Sequence, residues 1–152
     1  MSRMATLTRS TTIDAPVEKV FTYALDFRNL WGQGWPDIGI ADVDLKPDGV
    51  GSSVKFFAHV LGLHLEMRLE YVEVVRPERI VAKVSSVLPD RPQWTFTFTP
   101  VDEGTQLTVT GEWHVNVPAV GKAWEERMAR NHEGLADLMI ANIKTGVEGT
   151  TA

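Results

Sequence analysis

The spacing of apolar residues changes twice along the chain, and each change marks a change of element. Thr6 to Ile13 is rich in β-branched residues and reads as a strand. It runs into Asp14-Ala15-Pro16, a strand-to-helix junction where Asp14 is the expected cap. Pro16 brings a preset φ to the first turn, and Glu18 sits near the positive end of the helix dipole. Val17, Val20, Phe21 and Ala24 recur at helical spacing, which predicts a short helix over about Pro16 to Leu25. A second turn near Phe27 to Leu30 breaks at Gly32 and Gly34.

From Ile38 to Val117 the period falls to two. Punctuation at Pro47-Asp48-Gly49, Leu61-Gly62, Arg76-Pro77 and Glu103-Gly104 cuts this stretch into about six strands. They must be antiparallel, because the breaks leave no room for crossover helices. A two-residue loop at Leu61-Gly62 sets Val60 opposite Leu63, Ala58 opposite Leu65, Phe56 opposite Met67 and Val54 opposite Leu69. Around Glu103-Gly104 the same construction pairs Phe98 with Leu107, Phe96 with Val109 and Trp94 with Gly111, while Thr95/Thr110 and Thr97/Thr108 share the other face. The sheet therefore has one apolar face that needs a cover. The segment from about Ala119 to Thr145 supplies it, with Val120, Trp124, Met128, Leu135, Leu138 and Met139 in one helical stripe and Glu126, Arg130, Glu133, Asp137 and Lys144 opposite. At about 1.5 Å per residue such a helix is roughly 40 Å long, enough to cross a curved sheet. Gly146 to Ala152 is a small polar tail expected to fray.

The order is strand, two short helices, six strands and one long helix, an α+β arrangement. In that order it resembles the helix-grip superfamily, which includes the birch-pollen-allergen proteins, START-related lipid carriers and the polyketide cyclase/dehydrase and lipid transport family. The residues that carry the resemblance are Ile13-Asp14-Ala15-Pro16-Val17-Glu18-Lys19-Val20-Phe21, then Asp26 with Trp31 and Trp35-Pro36, the turn Pro47-Asp48-Gly49-Val50-Gly51, Glu103-Gly104-Thr105-Gln106-Leu107 and the terminal amphipathic helix. The resemblance spans about Thr6 to Thr145. It implies a seven-stranded curved antiparallel sheet around the helix, two short helices closing one end, and an internal apolar cavity. Within it Trp31 and Trp35 are similar to wall or gate residues of the family's entrance, with plugging of the core as the alternative.

Composition narrows the function. With 152 residues and 43% apolar content, one domain over 1–152 is expected. A formal charge of −5 without a Lys/Arg cluster argues against nucleic acid and anionic membrane surfaces as partners. The absence of cysteine removes disulfides, thiolate metal sites and Cys nucleophiles. Met1-Ser2-Arg3-Met4-Ala5-Thr6 is too polar for a signal peptide, and no apolar run approaches the roughly 20 residues of a membrane span. A cytoplasmic protein with no integral membrane association is the expectation.

Phe56, Met67, Leu69, Trp94, Phe96, Trp113, Trp124, Met128 and Leu135 are expected to line the space between sheet and helix, as core or as ligand contacts. Asn131 and Asn142 fall within the apolar stripe, where an unpartnered amide costs about 1–3 kcal/mol. Asn142 is expected to meet backbone or water; Asn131 is the polar ligand contact, or else bonds a strand or loop. Gly134 is expected on the flank of the buried stripe, giving close approach of a strand or room for a ligand. His59 and His64 face each other across a hairpin without a third ligand, so a solvated pair is expected rather than a metal site. His114 should point outward. His132, at the edge of the stripe about 80° from Trp124, is the weak catalytic candidate, a general acid or base at the cavity mouth. No Ser-His-Asp spacing, HExxH, phosphate-binding loop or EF-hand occurs, and no metal, cofactor or oligomeric state is implied.

The expected activity is binding of a small hydrophobic ligand: a lipid, polyketide, isoprenoid or aromatic metabolite. The alternative is a polyketide cyclase/dehydratase-type enzyme using the same cavity for aldol cyclisation and water loss, against which stands the lack of inward carboxylates. A module that binds another protein would instead show an exposed apolar patch.

Overall fold

Seven strands pair antiparallel in the order β1-β7-β6-β5-β4-β3-β2. In chain order the elements are β1 (Met4–Ile13), α1 (Val17–Ala24), α2 (Arg28–Trp31), β2 (Gly39–Asp44), β3 (Ser53–Val60), β4 (Leu63–Val75), β5 (Arg79–Ser85), β6 (Gln93–Val101), β7 (Gly104–His114) and α3 (Gly121–Gly149). The computed structural model describes residues 4–31, 39–60, 63–87, 90–115 and 121–149; the side chains at 31, 39–41, 58–60, 63, 121 and 124 lie outside that description. β2 to β7 form a meander, and β1 returns to pair with β7 from Met4 opposite His114 to Ile13 opposite Thr105. This is the helix-grip fold: a curved antiparallel sheet with one long helix against its apolar face.

The registers are those the alternation dictates. Val54 pairs with Leu69, Phe56 with Met67, Ala58 with Leu65 and Val60 with Leu63. Trp94 stands opposite Gly111, Phe96 opposite Val109 and Phe98 opposite Leu107. A slip of one residue would turn each apolar set to solvent, so burial of one face fixes the pairing. Trp94, Phe96, Phe98, Leu107, Val109 and Trp113 are all buried, along with Leu69, Tyr71, Ile80 and Ala82 on neighbouring strands.

The junction after β1 differs from expectation. Pro16, extended at φ −62° and ψ 150°, is the N-cap of α1, and no described side chain caps the helix. Asp14 lies two positions too early to reach the first-turn amides; its own N–H donates to Glu148 Oε2 at 3.0 Å. Glu18 remains in the first turn and pairs with Arg76 at 2.8 Å.

Buried polar groups around α1 and α2 are paired. Tyr71 Oη donates to the Ala24 carbonyl at 2.7 Å, and Thr105 Oγ1 to the Ala15 carbonyl at 2.8 Å. Asn142 donates to the Leu30 carbonyl at 2.7 Å, the backbone partner expected of it. Burial pushes the Tyr71 hydroxyl strongly upward, with the nearby Asp26 charge adding to the shift, so it stays a donor.

α3 buries Met128, His132, Ala136, Met139, Ile143 and Val147, a row at steps of three and four, and lies along β1 and β7 and against α1 and α2. Leu138, expected in the stripe, is only half-buried. The helix does not end at Thr145. Val147 is fully buried, and Lys144 Nζ reaches the Thr12 carbonyl at 2.6 Å and Glu148 at 2.9 Å. Gly146 makes this last turn possible, since a Cβ there would collide with the Tyr23 ring. Gly134, by contrast, faces solvent with nothing near the position of a Cβ, so neither role foreseen for it is present.

Candidate functional site

Strands β6 and β7, the connection between β5 and β6, and α3 converge on His132. Trp94 from β6 and Trp113 from β7 both point inward, and Gly111 between them has no side chain because a Cβ would lie 2.5 Å from Trp94 Cζ3. The space so freed lets the Trp94 indole lie against the sheet. His132 stacks on Trp113 with ring centroids 4.2 Å apart and 8° between planes, and its ring centroid is 5.8 Å from that of Trp94. It is 2% exposed. The expectation of an edge position therefore fails: His132 is one turn from both Met128 and Ala136, in the middle of the buried row.

The fourth member is Asp90, from the β5–β6 connection. Its Oδ2 lies 3.5 Å from His132 Nε2, and the residue is 3% exposed. Backbone bonds hold the connection in place: His114 N–H donates to the Asp90 carbonyl at 2.8 Å, and Val84 N–H to the Pro92 carbonyl at 2.9 Å. Arg91, at φ 43°, reverses the chain so that Asp90 turns inward while Arg91 is exposed. Sequence reasoning passed over Asp90, because it counted inward carboxylates by strand alternation and this one comes from a loop. The neighbouring prolines, Pro89 and Pro92, enclose only Asp90 and Arg91 and were the available signal of a stiffened backbone.

Protonation follows from geometry. His132 Nδ1 is 2.7 Å from the Met128 carbonyl, an acceptor only, so Nδ1 carries the hydrogen. In the neutral ring Nε2 is then the acceptor facing Asp90. Burial is the main cause that pushes the Asp90 carboxyl above its ordinary range, opposed by His132, by the N–H groups of Asp90 and Arg91, and by His114. Burial also holds His132 below its ordinary range, against the pull of the Met128 carbonyl and of Asp90. Both directions favour a neutral acid facing a neutral imidazole, with one proton between them. Two atoms of the cluster have no hydrogen-bond partner among the described residues: Asp90 Oδ1 and Trp113 Nε1, both buried.

The remaining expected residues fall as follows. Phe56, Met67, Leu69, Phe96 and Met128 are buried on the inner face, while Asn131 and Leu135 are half-buried on α3. Trp35 and the side chains of Trp31 and Trp124 lie outside the described residues, as does the His59 side chain. His64 is exposed and stacks on Phe57 at 5.9 Å. His114 lines an outward cleft of about 330 Å³ with Lys83, Arg91, Gln93 and Glu112. Among the described residues no group of three or more His, Asp or Glu gathers as metal ligands, and no helix is long and apolar enough to cross a membrane.

Several solved structures share the fold. The Zhui aromatase/cyclase from Streptomyces sp. R1128 matches with a TM-score of 0.71 and 14% identity, over 96% of this chain and 94% of that one. StfQ, a di-domain ARO/CYC protein of the steffimycin biosynthetic pathway, matches at TM-score 0.76 and 14% identity, over 97% of this chain and 51% of its own. Ara h 8.0201 matches at 0.67 and 14%, over 97% and 99%. At these identities the likeness is one of fold. No curated protein matches in sequence. The family model described as polyketide cyclase / dehydrase and lipid transport matches residues 4–144, nearly the whole chain, and the protein belongs to that family.

Proposed function

We propose that the protein binds a small, largely hydrophobic molecule, of lipid, polyketide, isoprenoid or aromatic type, in an apolar cavity between the sheet and α3. One observation carries the reading: a polar cluster with two atoms that have no partner among the described residues, Asp90 Oδ1 and Trp113 Nε1, is set into an otherwise apolar inner face. Leaving buried polar atoms unpaired costs about 1–3 kcal/mol each, a cost that a bound guest offsets. The placement of α3 supports the same reading. Its backbone runs with β1 and β7, so the inner side chains of β3 and β4, such as Phe56 and Met67, face the side of the sheet that α3 tracks least. Family membership points the same way.

The test is native mass spectrometry and solvent extraction of the freshly purified protein, with uptake of N-phenyl-1-naphthylamine as the in vitro readout. Leu135→Trp and Asn131→Phe, which add bulk on α3, are expected to abolish uptake while leaving the circular dichroism unchanged. Unaltered uptake in both folded variants would refute the placement of the cavity.

The Asp90–His132 pair favours a second reading, a cyclase/dehydratase of the kind named among the structural neighbours. A buried acid and imidazole sharing one proton can donate and remove protons during aldol closure and water loss. Under this reading His132→Ala lowers turnover of a poly-β-ketone while its binding persists; equal turnover removes His132 from the chemistry.

A further inference from the structure

We infer that Asp90, His132 and Trp113 form a polar subsite that selects a hydroxyl group on the guest. This rests on the small-molecule reading above and specifies which chemistry the guest presents. Trp113 Nε1–H can only donate, so the partner it lacks among the described residues is an acceptor. Asp90 Oδ1 calls for the opposite. With the acid proton on Oδ2 facing His132 Nε2 at 3.5 Å, Oδ1 is the carbonyl oxygen and needs a donor. The same holds with the proton moved to His132, since Oδ1 is then a carboxylate oxygen. Both residues flank one imidazole: Trp113 stacks on its face and Asp90 meets its edge.

A hydroxyl both accepts and donates, and so meets both demands. A ketone oxygen satisfies Trp113 and leaves Asp90 Oδ1 unpaired. A carboxylate also satisfies Trp113 but sets its charge against Oδ1 without a proton between them, in a dry site where such repulsion is poorly screened. A plain hydrocarbon satisfies neither. The order of preference is hydroxyl over ketone over hydrocarbon, with carboxylate rejected. Asp90 is held for this task by the backbone bond from His114 and by the left-handed Arg91, so the selectivity is built into the β5–β6 connection rather than into α3 alone.

The experiment uses one ring system with four substituents: 2-naphthol, 2-acetylnaphthalene, 2-methylnaphthalene and 2-naphthoate, titrated into the full chain and followed by calorimetry and tryptophan fluorescence. In the wild type 2-naphthol is expected to bind about tenfold to a hundredfold tighter than 2-methylnaphthalene, with 2-naphthoate the weakest. Asp90→Leu and Trp113→Phe should each remove most of that preference while 2-methylnaphthalene binds as before. Asp90→Asn should keep it, because its amide N–H can face His132 Nε2 while its oxygen still accepts. Should all four probes bind with equal affinity, the hydroxyl subsite is overturned and the apolar cavity stands; the subsite is equally overturned if Asp90→Leu, folded by thermal melt, keeps the preference. Should none bind, the small-molecule reading fails and takes the subsite with it.

Discussion

The two ends of the interior handle buried polarity differently. Around α1 and α2, Tyr71, Thr105 and Asn142 each bond a backbone carbonyl that the fold would otherwise strand: Ala24, Ala15 and Leu30. Around His132, an acid and an indole are buried just as deeply, yet Asp90 Oδ1 and Trp113 Nε1 have no partner among the described residues. The first set behaves as structure, completing hydrogen bonds where helices leave the sheet. The second holds polarity that stability alone does not require, which is where functional chemistry is commonly kept.

The contrast can be broken by mutation. The largest effect is expected for Tyr71→Ala, which removes a fully buried ring and its bond to Ala24 and should cost about 3–5 kcal/mol in urea unfolding. Tyr71→Phe and Thr105→Val keep the shape and strand one carbonyl each, for about 1–3 kcal/mol apiece. At the other end the double change Asp90→Leu with His132→Met should leave stability unchanged or raise it, because removing both members of a buried pair leaves neither facing a lost partner. If the double variant loses as much as Tyr71→Phe, the His132 cluster is structural and the contrast disappears.

The smallest effect is in pH dependence. The raised pKa of Asp90 gives a contribution present in acid and lost as pH rises through its folded value. The lowered pKa of His132 gives a contribution present at higher pH and lost as pH falls below the ordinary imidazole value of about 6.5. Between about 3.9 and 6.5 the two oppose each other, since the folded pair holds its proton on Asp90 and the unfolded chain holds one on His132. Above that range, for as long as folded Asp90 keeps its proton, stability falls with pH. The wild-type unfolding midpoint should therefore drop as pH rises above about 6.5 and through the folded pKa of Asp90, and Asp90→Asn should flatten that drop.

What could be read from the chain follows the same division. The hairpin pairings, from Val54/Leu69 to Phe98/Leu107, were legible because strict alternation and two short turns leave one register with a dry face. Asp90 was not, because a loop residue has no period to betray its direction. His132 is displaced by a fraction of a turn: the stripe through Val120, Trp124, Met128, Leu135, Leu138 and Met139 leaves it at the edge, whereas the buried row runs through Met128, His132, Ala136 and Met139. Gly134 and Gly146 exchange roles for a related reason. A sequence shows that glycine weakens a helix, but only packing shows that Tyr23 needs the space at Gly146 and that nothing needs it at Gly134.

The clasp between the end of α3 and β1 bears on how the chain is made. β1 is synthesised before the other strands, yet its neighbour in the sheet is β7, the last of them, and its end at Thr12 and Asp14 is held by Lys144 and Glu148. On the ribosome the opening strand must wait with its edge uncovered until the closing turn of the helix has emerged. The two parts that close the sheet thus meet only after every element between them has been made, and until then the bare edge of β1 is open to pairing with another chain.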